Sequence, residues 1–440
     1  VKRFFAIICA WALFLPLSSP AYGQDRYGQL AEAKLAPSVA IAALLDAEGS
    51  GPTLLAAALH FSGANSLRAE ATRRALEPGL AEARALASAH EDEYALGEAL
   101  LSLAHERFLK RYVELESTLD AAVLDGRYNC VSSSVLYLLL AREAGLRPLG
   151  IVTTDHSFVA LALGDGRLID VETTNRHGFD PGSKKEFLDS FGRTTGYAYV
   201  PPSDYKRRSQ VSDRHLVGLI ALNRATLAER RADQLGALAL AVDAHAYMAD
   251  ETSRQYLGDR AHNVAATLLN AKRWDEALRF LGRVTEYYGP LADLDSLGMQ
   301  ARLALLADNV SALGRDEALA ELERAYRAGV VSDSERVEFI LAIVSRAADE
   351  LRRREGWLAA WTALAEAAGD YPAIAQLKGL AATARSNWVA DTHNRFAAHF
   401  NARRYNEAEA VLKAGLAIAP EERLFIDDER ALKSALGLKP

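Results

Sequence analysis

Cysteine is almost absent: the 440 residues contain two, Cys9 and Cys130, too few for the disulfide framework that staples small secreted domains. Lysine and arginine never gather into a stripe, and the formal net charge is −7. Both facts argue against nucleic acid or an anionic membrane surface as the main ligand. The apolar run at 4–17 falls short of the about 20 residues that a spanning helix requires. A zinc helix is lacking as well. His90-Glu91-Asp92-Glu93 is followed by Tyr94 where such a motif needs its second histidine, so the segment reads as a solvated helix face. No metal or organic cofactor is implied.

What is present is helix-forming. Half of the residues are hydrophobic and 25% are charged, with alanine and leucine dominant, the composition of a mainly α-helical globular protein. The length suggests more than one domain. Lys2 and Arg3 precede the apolar run, and a short polar stretch with Ala21 and Gly23 follows it. This is the pattern of a secretory signal peptide over 1–23, so the chain is expected to be exported, to the periplasm or beyond the cell. Cys9 then leaves with the leader, and Cys130 becomes the sole cysteine of the mature chain. In an oxidising compartment a lone thiol is either inert and buried or kept for its reactivity.

Residues 24–105 have helical periodicity, broken by Gly49-Ser50-Gly51-Pro52, Ser62-Gly63-Ala64-Asn65 and Glu77-Pro78-Gly79. Phe108, Tyr112, Leu115 and Leu119 share one stripe and predict a helix over 106–124, ended by Gly126. A second helix is expected over 131–144, with Asn129 as N-cap and Gly145 as its stop before Pro148. Cys130 thus lies at a helix N-terminus. Strands are predicted over 149–154, 157–163 and 168–174, the last two joined by a turn at Gly164-Asp165-Gly166, with a further strand over 187–200. Pro201-Pro202-Ser203-Asp204 reads as a domain boundary.

Beyond residue 211 the chain is helical and repeats itself. Asn270-Ala271-Lys272-Arg273-Trp274-Asp275-Glu276-Ala277 returns as Asn401-Ala402-Arg403-Arg404-Tyr405-Asn406-Glu407-Ala408, with partial copies at Gly314-Arg315-Asp316-Glu317-Ala318 and Trp357-Leu358-Ala359-Ala360. The marker alanines 237, 277, 318, 360 and 408 fall 40, 41, 42 and 48 residues apart. Such a period implies stacked helical hairpins in which a small residue lets paired helices approach. The aromatic-x-x-Ala step resembles tetratricopeptide repeats, at a period longer than that family's.

The chemistry gathers between Gly126 and Asp170. A thiol attacks as the thiolate, and a helix N-terminus offers partial positive charge and free N–H groups to that anion and to an oxyanion. An imidazole at His156 can pair with the thiolate and later protonate a leaving group, while a carboxylate on the neighbouring strand fixes its tautomer. Hairpin counting places Asp170 opposite Ala160 and Glu172 opposite Phe158. Hence either Asp170 is brought closer by a bulge or twist, or Glu172 orients the histidine. Tyr128 and Asn129 are candidates for an oxyanion hole or cleft wall, against simple packing and capping. Ser132 to Ser134 offer hydroxyls, and His177 is an alternative imidazole in a Gly-flanked loop.

Asn129-Cys130 heading an apolar helix, Ala144-Gly145-Leu146-Arg147-Pro148 closing it, His156-Ser157-Phe158-Val159 opening a strand and Leu168-Ile169-Asp170 on the next resemble the transglutaminase-like core of the papain-type cysteine protease superfamily. The resemblance spans 106–205 and implies Cys130 as nucleophile, His156 as general base and Asp170 as its orienter. Phe158 and Val171 stand where that family usually has Trp and Pro, which points towards its divergent bacterial members. The expected architecture is therefore an α+β transglutaminase-like core (106–205) in a mainly α-helical chain, after a signal peptide (1–23) and a helical region (24–105). An α-solenoid of tetratricopeptide-like repeats (206–440) follows. The implied activity is that of a cysteine hydrolase or acyltransferase on a peptide or protein substrate, through an acyl-thioester, with a protein partner on the repeats. A catalytically silent binding module and a repeat scaffold are the rival readings.

Overall fold

The computed structural model describes residues 20–46, 51–154, 156–182, 184–196 and 208–437. The expected signal sequence up to residue 19 and the Pro201-Pro202-Ser203-Asp204 boundary lie outside the described residues. The chain divides into two compact units, 1–298 and 299–440.

In the first unit the helices α1 (Pro20–Ala31), α2 (Val39–Asp46), α3 (Gly51–Phe61), α4 (Ser66–Ala89) and α5 (Glu93–Arg107) precede a short parallel pair, β1 (Arg111–Tyr112) and β2 (Arg127–Tyr128). A π-helical turn, Ala121–Asp125, leads into β2. Helix α6 (Cys130–Glu143) follows, then β3 (Pro148–Val152), β4 (Ser157–Ala162), β5 (Leu168–Val171), α7 (Lys185–Thr195) and β6 (Ser209–Val211). The last four strands form an antiparallel sheet in the order β5-β4-β3-β6. Helices α8 (Asp213–Arg230), α9 (Gln234–Met248), α10 (Glu251–Asn270) and α11 (Trp274–Tyr288) come next, and α12 (Leu294–Ala312) begins in this unit.

Helix α6 is the centre of the packing. Val135, Leu136, Tyr137, Leu138 and Leu140 are all fully buried. A helix apolar around its circumference must be enclosed on every side, and α6 is held between β3 and β4 on one side and α3, α4, α5 and α8 on the others. The Tyr137 hydroxyl spends its polarity on the Gly97 carbonyl at 2.9 Å. Gly97 has no alternative there: a Cβ would sit 2.5 Å from Leu161 Cδ1 and 2.7 Å from Phe179. One hydrophobic cluster runs from Ile41 through α6 and the sheet to Met248, so the N-terminal helices, the sheet and α8–α9 share a single core.

Three local expectations give way to tertiary structure. The stripe over 106–124 is not one helix. The chain leaves α5 at Arg107, and the amides of Lys110 and Arg111 bond the Gly126 carbonyl instead, at 3.0 and 2.8 Å. Phe108 and Leu119 are buried as the stripe requires, but Leu115 is 54% exposed. Pairing with β2 outweighs weak helix propensity. The segment expected as a strand over 187–200 is helical where it is described, because Phe187, Phe191 and Thr195 recur at i, i+4 and i+8 and are all buried. Pro78 does not break α4 but lies within it.

The second unit holds the rest of α12 and α13 (Arg315–Arg327), α14 (Asp333–Glu355), α15 (Trp357–Asp370), α16 (Ala375–Asn401), α17 (Tyr405–Ile418) and α18 (Arg423–Ala435). From α13 on, each helix packs on the next. Ala318, Ala360 and Ala408 are buried here, as are Ala237 and Ala277 in the first unit. The turns recur too. Ala232, Lys272 and Arg403 each adopt positive φ, at 59°, 58° and 57°. In each turn the next amide reaches back to a carbonyl five residues earlier: Asp233 to Ala228, Arg273 to Leu268 and Arg404 to His399. The repeated motif thus encodes a repeated turn.

Candidate active site

Cys130 is a half-buried free thiol at the first position of α6. Its place is secured by a capping box. Asn129 Oδ1 accepts from the Val131 and Ser132 amides at 3.0 and 3.2 Å, and the Asn129 amide donates to Ser132 Oγ at 3.0 Å. Asn129 Nδ2 donates to the Glu114 carbonyl at 2.9 Å and Ser132 Oγ to that of Glu116 at 3.0 Å, tying the helix start to the preceding loop. The sequence-predicted N-cap is therefore in place, with Asn129 Oδ1 occupied by capping and its Nδ2 by the Glu114 carbonyl. Ser133 and Ser134 are fully buried and bonded to Thr173 Oγ1 at 2.8 and 3.0 Å, so these hydroxyls serve packing.

His156 directly precedes β4, at the end of the β3–β4 turn, where its carbonyl accepts from the Thr153 amide at 2.9 Å. Its Nε2 lies 2.7 Å from Glu172 Oε2, and the Cys130 thiol is a further hydrogen-bond and charge partner of the ring. With Nε2 taken by a carboxylate, which can only accept, Nδ1 is the nitrogen left for the sulfur. The imidazole stacks on Phe158, centroids 6.1 Å apart, and meets the edge of Phe191 at 6.0 Å. Burial among these rings opposes the charged form, but the Glu172 carboxylate and the thiol outweigh it, and the imidazole is raised to about 11. It is an imidazolium across the neutral range.

The carboxylate that meets His156 is Glu172. Asp170, which the family resemblance puts in that role, faces elsewhere. The hairpin has the register that counting predicts, with Ala160 opposite Asp170 and Val159 opposite Val171. Neither a bulge nor a twist moves Asp170 back towards His156, and each step of two residues along a strand is about 7 Å. Asp170 instead forms a buried two-pronged ion pair with Arg208: Nη1 reaches Oδ2 at 2.6 Å and Nη2 bonds Oδ1. The same guanidinium lies over the Phe158 ring, 5.1 Å from its centroid. Asp170 thus anchors the aromatic wall behind the histidine.

Glu172 itself is 1% exposed, and its second oxygen accepts from Thr174 Oγ1 at 2.7 Å and the Thr174 amide at 3.3 Å. A tight turn closes behind it: the Glu172 amide donates to the Gly178 carbonyl at 2.8 Å and the Gly178 amide to Asn175 at 2.9 Å. A Cβ on Gly178 would lie 2.0 Å from the Glu172 carbonyl oxygen. Gly178→Ala must therefore open this turn. It is expected to cost about 2–3 kcal/mol of stability by the steric mechanism, measurable as a lowered denaturant midpoint, and to slow Cys130 alkylation.

The remaining candidates are placed as follows. Tyr128 is buried, its hydroxyl donates to the Thr174 carbonyl at 3.2 Å, and burial pushes its phenol up to about 12. His177 is exposed in the turn after Glu172, the loop position its flanking glycine suggests. Sequence reasoning missed Arg208, Phe191, Gly178 and His105. Only Gly178 carried a signal, in the Asn-Arg-His-Gly run. Among the described residues no group of three or more His, Cys, Asp or Glu side chains is placed to hold a metal ion, and no helix is long and apolar enough to cross a membrane. Comparison with protein-family models, with curated proteins and with solved structures finds no match to this chain.

Proposed function

We propose that this chain is an exported cysteine hydrolase of the transglutaminase-like kind, acting on peptide or side-chain amide bonds. The observation that carries the reading is the placement of His156 between a thiol at a helix N-terminus and a buried glutamate. The Cys130 thiolate attacks the amide carbonyl carbon and the carbonyl pair moves to oxygen, where the positive end of the α6 dipole stabilises the charge. Collapse of the adduct breaks the C–N bond, and the His156 imidazolium gives its proton to the departing amine. Water then adds to the thioester, its proton passes to His156, and the C–S bond breaks to return the thiolate beside the imidazolium and release the carboxylic acid. Glu172 holds the ring orientation and balances its charge throughout. Water is taken as the acceptor, so hydrolysis is preferred over cross-linking.

The helical hairpins with their recurring turns and buried alanines support a tetratricopeptide-like array that offers an extended surface to a protein or peptide partner. The amide reaction is tested by incubating the mature chain with a mixed peptide digest and measuring released amine and ammonia. The wild type is expected to release them and Cys130→Ala to release none. Equal release by both, or none by either across varied digests, favours the silent binding module.

A further inference from the structure

Mechanistically unused but closely packed against the site is a buried imidazole, His105, near the end of α5. Its Nε2 lies 3.1 Å from the Thr173 carbonyl oxygen, and a carbonyl can only accept, so Nε2 carries the proton. The ring meets the Tyr128 ring edge-on at 6.0 Å. Burial pushes this histidine down to about 4, against the pull of the Thr173 carbonyl, and the Arg176 guanidinium nearby adds to the depression. It is a neutral single donor across the neutral range.

Thr173 and Thr174 are the two residues after Glu172. The first carbonyl is held by His105 and the second by the Tyr128 hydroxyl at 3.2 Å. The Thr173 hydroxyl is held by Ser133 and Ser134 from α6, at 2.8 and 3.0 Å. Thr174, so fixed, supplies both groups that bind Glu172 Oε1. With Oε1 occupied, Oε2 is left pointing at His156 Nε2. The main chain after β5 is thus gripped from three separate elements, and the grip is transmitted to one carboxylate.

We propose that His105 and Tyr128 are positioning residues: by holding consecutive carbonyls after Glu172 they set the carboxylate that orients His156, and so tie the reactivity of Cys130 to the seating of helix α5. This rests on the Cys130–His156 reading of the site. A purely structural role would lower stability without changing how alkylation depends on pH. A positioning role changes that dependence, and a side chain that keeps one N–H donor rescues it.

The experiment uses the mature chain and its variants His105→Leu, His105→Gln, Tyr128→Phe and His156→Ala. For each, the iodoacetamide alkylation rate of Cys130 is followed from about pH 5 to about pH 9, with thermal unfolding recorded alongside. His105→Leu and Tyr128→Phe are each expected to slow alkylation at about pH 6 roughly tenfold, shifting the profile up by about one unit towards that of His156→Ala. His105→Gln should stay within about threefold of wild type at that pH. Should His105→Leu not fold, Tyr128→Phe, which lacks a single hydroxyl, decides alone. Folded variants with wild-type profiles, beside a slowed His156→Ala, overturn the proposal and leave the Cys130–His156 reading standing. A glutamine variant as slow as the leucine one also overturns it. If His156→Ala itself matches wild type, the site reading falls and the proposal with it.

Discussion

Replacing His156 with alanine is expected to slow alkylation of Cys130 at about pH 6 by between tenfold and a hundredfold. An ordinary thiol near pKa 8.5 is less than about 1% thiolate at that pH, whereas a thiolate facing an imidazolium is stabilised as the anion. The gain in thiolate is partly offset because a better-stabilised thiolate is a weaker nucleophile, which sets the lower bound. The imidazolium is present because Glu172 and the sulfur outweigh its burial. The same raised value carries a stability signature. A histidine held above its unfolded value near 6.5 contributes stability that is fully present below that value and lost as the pH climbs through about 11. The stability gap between wild type and His156→Ala should therefore narrow from neutral to alkaline pH, in denaturant titrations that follow both proteins.

The two nearby carboxylates should separate cleanly. Glu172→Ala removes the partner of His156 Nε2 and of the Thr174 hydroxyl at once. It leaves the buried imidazolium without its carboxylate, a defect of about 3–5 kcal/mol, and it should also bring alkylation at about pH 6 down to the His156→Ala level. Asp170→Asn breaks the buried pair with Arg208 at a comparable cost of about 3 kcal/mol. Its alkylation rate should nonetheless stay within about threefold of wild type, because Glu172 still holds the ring. Paired unfolding curves and alkylation rates check this directly. If Asp170→Asn proved the more damaging to reactivity, Asp170 would have to be returned to the orienting role.

Much of this site was legible before any coordinates. Asn129 as a cap, Gly145 as a stop and the hairpin around Gly164-Asp165-Gly166 are local signals, each with its own turn or cap chemistry. They place Cys130 at the start of its helix and His156 beside the strand it precedes. Counting along the hairpin even names Glu172 opposite Phe158, and the resemblance to a family was the misleading cue towards Asp170. What was illegible is non-local. Nothing near Phe108 in sequence announces that Gly126 will take the amides that would have continued the helix. Arg208 follows Asp170 by 38 residues, and His105 precedes Thr173 by 68. Partnerships closed only by folding leave no period or spacing to read. The strand expected over 187–200 failed for a different reason, since two phenylalanines four apart fit a helix face as well as they fit a β-rich segment.

Packing builds Cys130 into the edge of the core. Helix α6 has no exposed apolar face to lose, so the position of Cys130 depends on the sheet and on four surrounding helices together. That dependence explains why a site formed by so few side chains needs the helices from both ends of the first unit.

The most direct measurement is the pH titration of the His156 ring in the mature chain, followed by its ring-proton NMR signals and assigned by their loss in His156→Ala. The account predicts that the ring stays charged through the neutral range and titrates only near about 11. A ring that loses its proton near about 6.5, the range of an unassisted imidazole, would contradict it.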